Sequence, residues 1–233
     1  PAGAYCPMGS ATPTYCPAGY YSGLTQQQSI GTCSVCPAGT FCLNSGTVSP
    51  TSCPEHYYCP TGTTDYMPTP CPAGTYSEVQ GLHMLSQCNN CTEGHYCNGD
   101  TSPTPCPRGR YNQYMGIATY QDCQRCEPGY ACPTTGMTEG TSVPCTAGYY
   151  CPSGTSSATE YACPAGRYSD ATNLVSKEEC TTTEAGYTSP AGSTSAAKVA
   201  CVAGHYCLAG TSYGNDIDCP AGTYSSSSNN DEV

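Results

Sequence analysis

Cys180-Thr181-Thr182-Thr183-Glu184-Ala185-Gly186-Tyr187-Thr188-Ser189-Pro190 decides how this chain folds, because two of its residues are not cysteine. Everywhere else one phrase recurs, Cys-Pro-Ala-Gly-x-Tyr with small variations. Its Gly lies three residues after the Cys and an aromatic follows two later, as in Gly19/Tyr21, Gly39/Phe41, Gly74/Tyr76, Gly109/Tyr111, Gly148/Tyr150, Gly166/Tyr168, Gly204/Tyr206 and Gly222/Tyr224. Pro fixes φ and Gly accepts positive φ, so each phrase predicts a tight turn. The aromatic is expected to lie on the adjacent disulfide with its hydroxyl in water, making each phrase a self-contained turn and plate.

The phrases come in two lengths. Long loops run from Cys16 to Cys33, Cys71 to Cys88, Cys106 to Cys123 and Cys163 to Cys180. Short loops run from Cys36 to Cys42, Cys53 to Cys59, Cys91 to Cys97, Cys126 to Cys132, Cys145 to Cys151 and Cys201 to Cys207. Local pairing of these ends leaves Cys6 and Cys219, whose partners are expected beyond the two ends of the chain, as in a window cut from a longer array. The register divides the chain into the end of a preceding unit (residues 1–15), unit 1 (16–70), a short unit 2 (71–105), unit 3 (106–162), unit 4 (163–218) and the start of a further unit (219–233).

Spacing alone seldom fixes connectivity. The alternative is crosswise pairing of consecutive short loops, Cys36 with Cys53 and Cys42 with Cys59. The rhythm calls for cysteines at 183 and 189, where the chain has Thr183 and Ser189. If those two positions normally bond each other, their joint loss orphans no thiol. Under crosswise pairing it would strand Cys201 and Cys207. Local pairing is therefore favoured, and the stretch from Cys180 to Cys201 is expected to be the loosest joint, held mainly by its neighbours.

Leu, Ile, Val and Phe make up 18 of the 233 residues, well below the roughly 20% under which a charged chain stays disordered. The 22 cysteines substitute for the missing core and place the chain in an oxidising compartment, secreted or at the cell surface. A formal charge of −11 with six Lys and Arg speaks against nucleic acid, and no apolar run approaches the length of a membrane span. No signal peptide is visible, as expected of a mature or interior segment. The fold class expected is small disulfide-rich repeats, an elongated rod of short strands and turns with little helix and no single hydrophobic core. Ser77 or Asp170 is placed to cap a single helical turn in a long loop.

Cys-Pro-Ala-Gly-Thr-Tyr-Ser, a loop, Cys-x2-Cys and Cys-x5-Cys together resemble the cysteine-rich repeats of ephrin-receptor-like type. Those are found in surface and filament proteins of protists and algae, and are distantly similar to tumour-necrosis-factor-receptor-like modules. The resemblance covers nearly the whole chain. It implies stalks, adhesive arrays, receptor ectodomains or filament subunits.

Candidate chemistry is sparse. The Cys-x2-Cys pairs Cys33/Cys36, Cys88/Cys91 and Cys123/Cys126 are junctions between loops rather than zinc or redox motifs. His56, His95 and His205 stand inside the repeat phrase, and with His83 they form no catalytic constellation. Asp216 with Asp218, and Asp231 with Glu232, read as solvated turns. No enzyme, metal or cofactor is expected. Asn90-Cys91-Thr92 is the one N-glycosylation sequon, and Thr181, Thr182, Thr183, Ser193, Thr194, Ser195 and Ser225 to Ser228 are candidates for O-linked sugar. The functional expectation is a non-enzymatic structural subunit of an extracellular filament, flagellar hair or cell-surface coat. Its partners would be copies of itself, other coat or filament proteins, and glycans. The alternative is a ligand-binding or adhesion ectodomain, for which Arg108, Arg110 and Arg125 are the candidate contact residues.

Overall fold

A computed structural model describes residues 1–65, 69–195, 198–214, 217–224 and 226. The described residues form eleven separate two-stranded antiparallel sheets. Each strand is two residues long and follows directly from the phrase. Tyr20–Tyr21 pairs with Ser34–Val35, and Thr40–Phe41 with Thr51–Ser52. Arg110–Tyr111 pairs with Gln124–Arg125, and Tyr187–Thr188 with Val199–Ala200. The Pro-x-Gly turn launches the first strand, and the next opening Cys closes the hairpin by donating its amide to the turn Gly carbonyl, as Cys36 does to Gly19 at 2.8 Å. This is the small disulfide-rich repeat of short strands and turns that the spacing predicts.

Contacts group the chain into two units, residues 1–104 with 114–122 and residues 105–113 with 123–233. Within each unit the hairpins are interleaved by backbone hydrogen bonds. The turn Gly amide donates to the next hairpin: Gly19 to Cys42 and Gly74 to Cys97 in the first unit, Gly109 to Cys132 and Gly129 to Cys151 in the second, all at 2.7–3.0 Å. A second series reaches back from the loop of a later hairpin to an opening Cys carbonyl, as in Gly62 to Cys36 (2.8 Å) and Gly154 to Cys126 (3.0 Å). The turn of one hairpin also presses on the loop two hairpins further on. Gly166 has φ +81° and a Cβ there would run into the carbonyl of Gly210. Stability therefore comes from neighbours rather than from any isolated module.

The aromatics show the same coupling. Phe41 packs on the Cys53–Cys59 disulfide, Tyr111 on Cys126–Cys132, and Tyr150 on Cys163–Cys180 with Leu174. Each plate thus covers the disulfide of the following hairpin, and the phrase is not self-contained. The cores are correspondingly small, two or three side chains around one disulfide.

One local expectation is corrected. The helical segments that lie whole among the described residues, Ile30–Thr32, Leu85–Gln87, Tyr120–Asp122 and Lys177–Glu179, are single 3-10 turns. They stand against the closing Cys rather than after Ser77 or Asp170. In three of them the last residue folds its side chain back onto the amides that precede the turn. Gln87 Oε1 accepts from His83 and Met84, Asp122 Oδ2 from Ala118 and Thr119, and Glu179 Oε2 from Val175. That satisfies donors a short helix leaves open. The amide and then the hydroxyl of Thr119 hold the Asp122 carboxyl below its usual range. Ser77 and Asp170 do other work: Ser77 Oγ closes a turn with Val79, and Asp170 Oδ1 accepts from the Ser195 amide at 2.8 Å.

His56 is a scaffold residue of a particular kind. His95 and His205 follow a turn Gly, but His56 occupies the Gly slot itself, with φ +69°. Its amide donates to Ser77 and its carbonyl accepts from Cys71, as a turn Gly would. Its place three residues after Cys53, where the other two stand four after theirs, already separates it in the sequence.

Candidate functional site

Ten disulfides form, and each closes within one hairpin: Cys16–Cys33, Cys36–Cys42, Cys53–Cys59, Cys71–Cys88, Cys91–Cys97, Cys106–Cys123, Cys126–Cys132, Cys145–Cys151, Cys163–Cys180 and Cys201–Cys207. The two members of every Cys-x2-Cys junction bond different partners, so none of these junctions is a thiol pair. Cys6 is an exposed free thiol and Cys219 a half-buried one.

Both kinds of disulfide start from the opening Cys. In short hairpins it bonds the residue just after the first strand; in long hairpins it bonds the residue just before the second. The position after the first strand is then free in long hairpins, and Ser22, Ser77, Asn112 and Ser169 fill it, all buried. A small polar residue six positions after an opening Cys is thus the mark of a long loop, a signal the spacing alone did not use.

Thr183 and Ser189 stand where a short-loop disulfide would. Both are completely buried, and Thr183 Oγ1 donates to Ser189 Oγ at 2.8 Å. A covalent link has been replaced by a hydrogen bond in the same place. The backbone around it is unchanged: Gly166 donates to Ser189, Thr183 to Gly166 and Gly210 to Thr183, at 2.8, 3.0 and 2.9 Å. Polar contacts reinforce the site. Lys198 Nζ lies 2.7 Å from Glu184 Oε2 and 4.6 Å from the centre of the Tyr168 ring, while Tyr168 donates its hydroxyl to Glu184 Oε1 at 2.9 Å. Tyr187 presents a second ring to the ammonium at 5.6 Å. The Lys198 hydrogen bond, then the residue's own amide, then the Tyr168 hydroxyl hold the Glu184 carboxyl down to about 2.

The candidate sugar sites separate by exposure. Asn90 is exposed in a strand beside Cys91, which is bonded to Cys97, and Thr92 is exposed. Thr181 and Thr182 are exposed, Thr194 and Ser195 half-buried. Thr183 and Ser193 are corrected: Thr183 is fully buried on Ser189, and Ser193 is 5% exposed with its hydroxyl donated to the Pro190 carbonyl. Neither presents a hydroxyl for a sugar. Ser225, Ser227, Ser228, Asp216, Asp231 and Glu232 lie outside the described residues.

His205 Nε2 is 3.0 Å from Asp218 Oδ1, a contact that joins the two sides of its hairpin. Among the described residues no three His, Cys, Asp or Glu side chains gather as a metal site, and no helix is long and apolar enough to cross a membrane. The three basic residues singled out in the sequence do come together. Arg108, Arg110 and Arg125 line one concavity of about 210 Å³ with Gly109, Ser153 and Gly154. In comparisons with known proteins, no family model and no curated protein matches the chain.

Proposed function

We propose that the chain is a non-enzymatic structural subunit of an extracellular filament, flagellar hair or cell-surface coat. The observation that carries this reading is the interleaving of the hairpins. Within each unit, hairpins are hydrogen-bonded to their successors and pressed by the loop two further on, as at Gly19, Gly39, Gly129 and Gly166, so load on one module is shared by its neighbours. Disulfides closed inside hairpins fix each module without depending on distant partners, and they require an oxidising, extracellular setting. The likeness of the phrase to ephrin-receptor-like repeats supports the same setting. Tyr15, Tyr20, Tyr114, Tyr120 and Tyr161 are exposed, and tyrosine suits contacts between copies because it offers area at little entropic cost.

Electron microscopy of native material labelled with antibodies to this chain tests the proposal. Regular fibres labelled at a constant repeat are expected. Label confined to isolated membrane-tethered stalks would favour the ectodomain reading, which the arginine-lined concavity supports.

A further inference from the structure

We infer that Arg108, Arg110 and Arg125 form a binding site for the oxyanion groups, sulfate esters or carboxylates, of an extracellular acidic polysaccharide. Three of the chain's six Lys and Arg residues converge on one concavity of about 210 Å³, in a chain of net charge −11. The repeating fold makes the convergence easy to judge. Arg108 takes the slot that is Ala in most phrases (Ala18, Ala38, Ala73, Ala165, Ala203), and Arg125 takes the slot before the opening Cys that is Val35, Ser52, Asn90 or Thr182 elsewhere. The fold needs a cation at neither slot.

The register sets two of the three cations face to face. Arg110 and Arg125 are directly opposed across the two strands, and like charges directly opposite one another destabilise a strand pair. The equivalent hairpin of the next long loop opposes Arg167 to Thr182 instead. Arg110 is positioned rather than loose, since one guanidinium nitrogen donates to the Cys123 carbonyl at 2.6 Å. The stem of Arg125 runs along Gly154, where a Cβ would lie 3.5 Å from its Cδ. Neither Arg108 nor Arg125 is in an ion pair among the described residues. The second basic concavity, lined by Arg167 and Lys177, already contains Glu178. The Arg108 concavity has no acid in its wall.

A concavity to which Arg108 and Arg125 bring charge that no ion pair takes up among the described residues, and whose wall holds no acid, is completed by an anion. Guanidinium groups bind planar or tetrahedral oxyanions through paired, charge-assisted hydrogen bonds. The volume admits one such group and its point of attachment rather than a folded surface. Nucleic acid is disfavoured, because the remaining acidic surface repels a phosphate backbone that must be neutralised along its length. A polysaccharide carrying spaced charges fits a single basic site on an extracellular protein.

The test uses the whole disulfide-bonded chain. Binding of dextran sulfate, polygalacturonate and neutral dextran is measured at low and at physiological salt, for the parent and for Arg108→Gln with Arg125→Gln. Arg167→Gln with Lys177→Gln serves as the comparison variant. The parent should bind the charged polymers and not neutral dextran. The Arg108/Arg125 variant should lose about tenfold or more in affinity, as expected for removing hydrogen bonds between charged groups, and should show a shallower salt dependence. The Arg167/Lys177 variant should bind as the parent does. A preference for dextran sulfate identifies sulfate esters, and equal binding at equal charge density identifies oxyanions at large. Unchanged disulfide mapping shows that each variant is folded. The assignment is overturned if the parent binds neither charged polymer at low salt, or if the Arg108/Arg125 variant binds them undiminished. It is also overturned if that variant loses only a salt-sensitive self-association, because the cluster would then be a contact between chains.

Discussion

The hairpin containing Cys126–Cys132 and the hairpin containing Thr183 and Ser189 are the same structure built with and without a covalent bond. Gly109 donates to Cys132, Cys126 to Gly109 and Gly154 to Cys126 at 3.0 Å each; Gly166, Thr183 and Gly210 repeat those bonds at 2.8, 3.0 and 2.9 Å. In each, the tyrosine of the preceding hairpin gives its hydroxyl to the acid after the opening position, Tyr111 to Glu127 at 3.2 Å and Tyr168 to Glu184 at 2.9 Å. The difference lies in the centre, where a buried hydroxyl pair replaces two sulfurs, and at the rim, where Lys198 joins Glu184. In this architecture the disulfide is therefore a reinforcement, and the geometry belongs to the backbone ladder. The sequence leads one to expect a loose joint held mainly by its neighbours, and those neighbour bonds are the ladder.

Four experiments bear on that comparison, in decreasing order of effect. Carrying the natural exchange into the covalent hairpin, Cys126→Thr with Cys132→Ser, should keep the fold and lower stability by about 2 kcal/mol, the chain-entropy value for so short a loop. Denaturant unfolding measures it, and global unfolding would show that the ladder needs the sulfurs. The reverse change, Thr183→Cys with Ser189→Cys, should close an eleventh disulfide and stabilise by about 1–2 kcal/mol, somewhat less than the entropic value because a buried hydrogen bond is lost. Intact mass and peptide mapping would show it. His56→Gly should add about 1 kcal/mol by relieving a left-handed conformation that glycine adopts freely, detectable as a raised midpoint in the same unfolding assay.

The smallest effect is the response to acid. Glu184 has a folded-state pKa of about 2, below its ordinary value, so its contribution is present above about pH 4.5. It is lost as the pH falls toward about 2. The carboxylate is half-exposed and its ion pair is screened by salt, which keeps the contribution small. Thermal melts between pH 5 and 2 should show a decline that Glu184→Gln partly removes.

Much of this fold is legible in the sequence because its information is periodic. The pairing follows from Cys spacing and the double substitution, and the turns follow from Pro-x-Gly. What the sequence conceals depends on contact between modules. That Phe41 covers Cys53–Cys59, and that Gly166 must be glycine to meet Gly210, are consequences of how hairpins stack, which spacing within a hairpin does not encode. The same holds for Arg110 and Arg125, fifteen residues apart in sequence but opposed in register. Thr183 reads as a surface threonine in a Thr-rich run until the ladder turns it inward.

Native-state hydrogen exchange compares the two hairpins most directly. The amides of Gly166, Thr183 and Gly210 should be protected to within about tenfold of Gly109, Cys126 and Gly154, since a buried hydroxyl pair holds the same ladder. Exchange of the first three faster by several orders of magnitude, with the second three still protected, would show that the sulfurs hold the fold and would contradict this account.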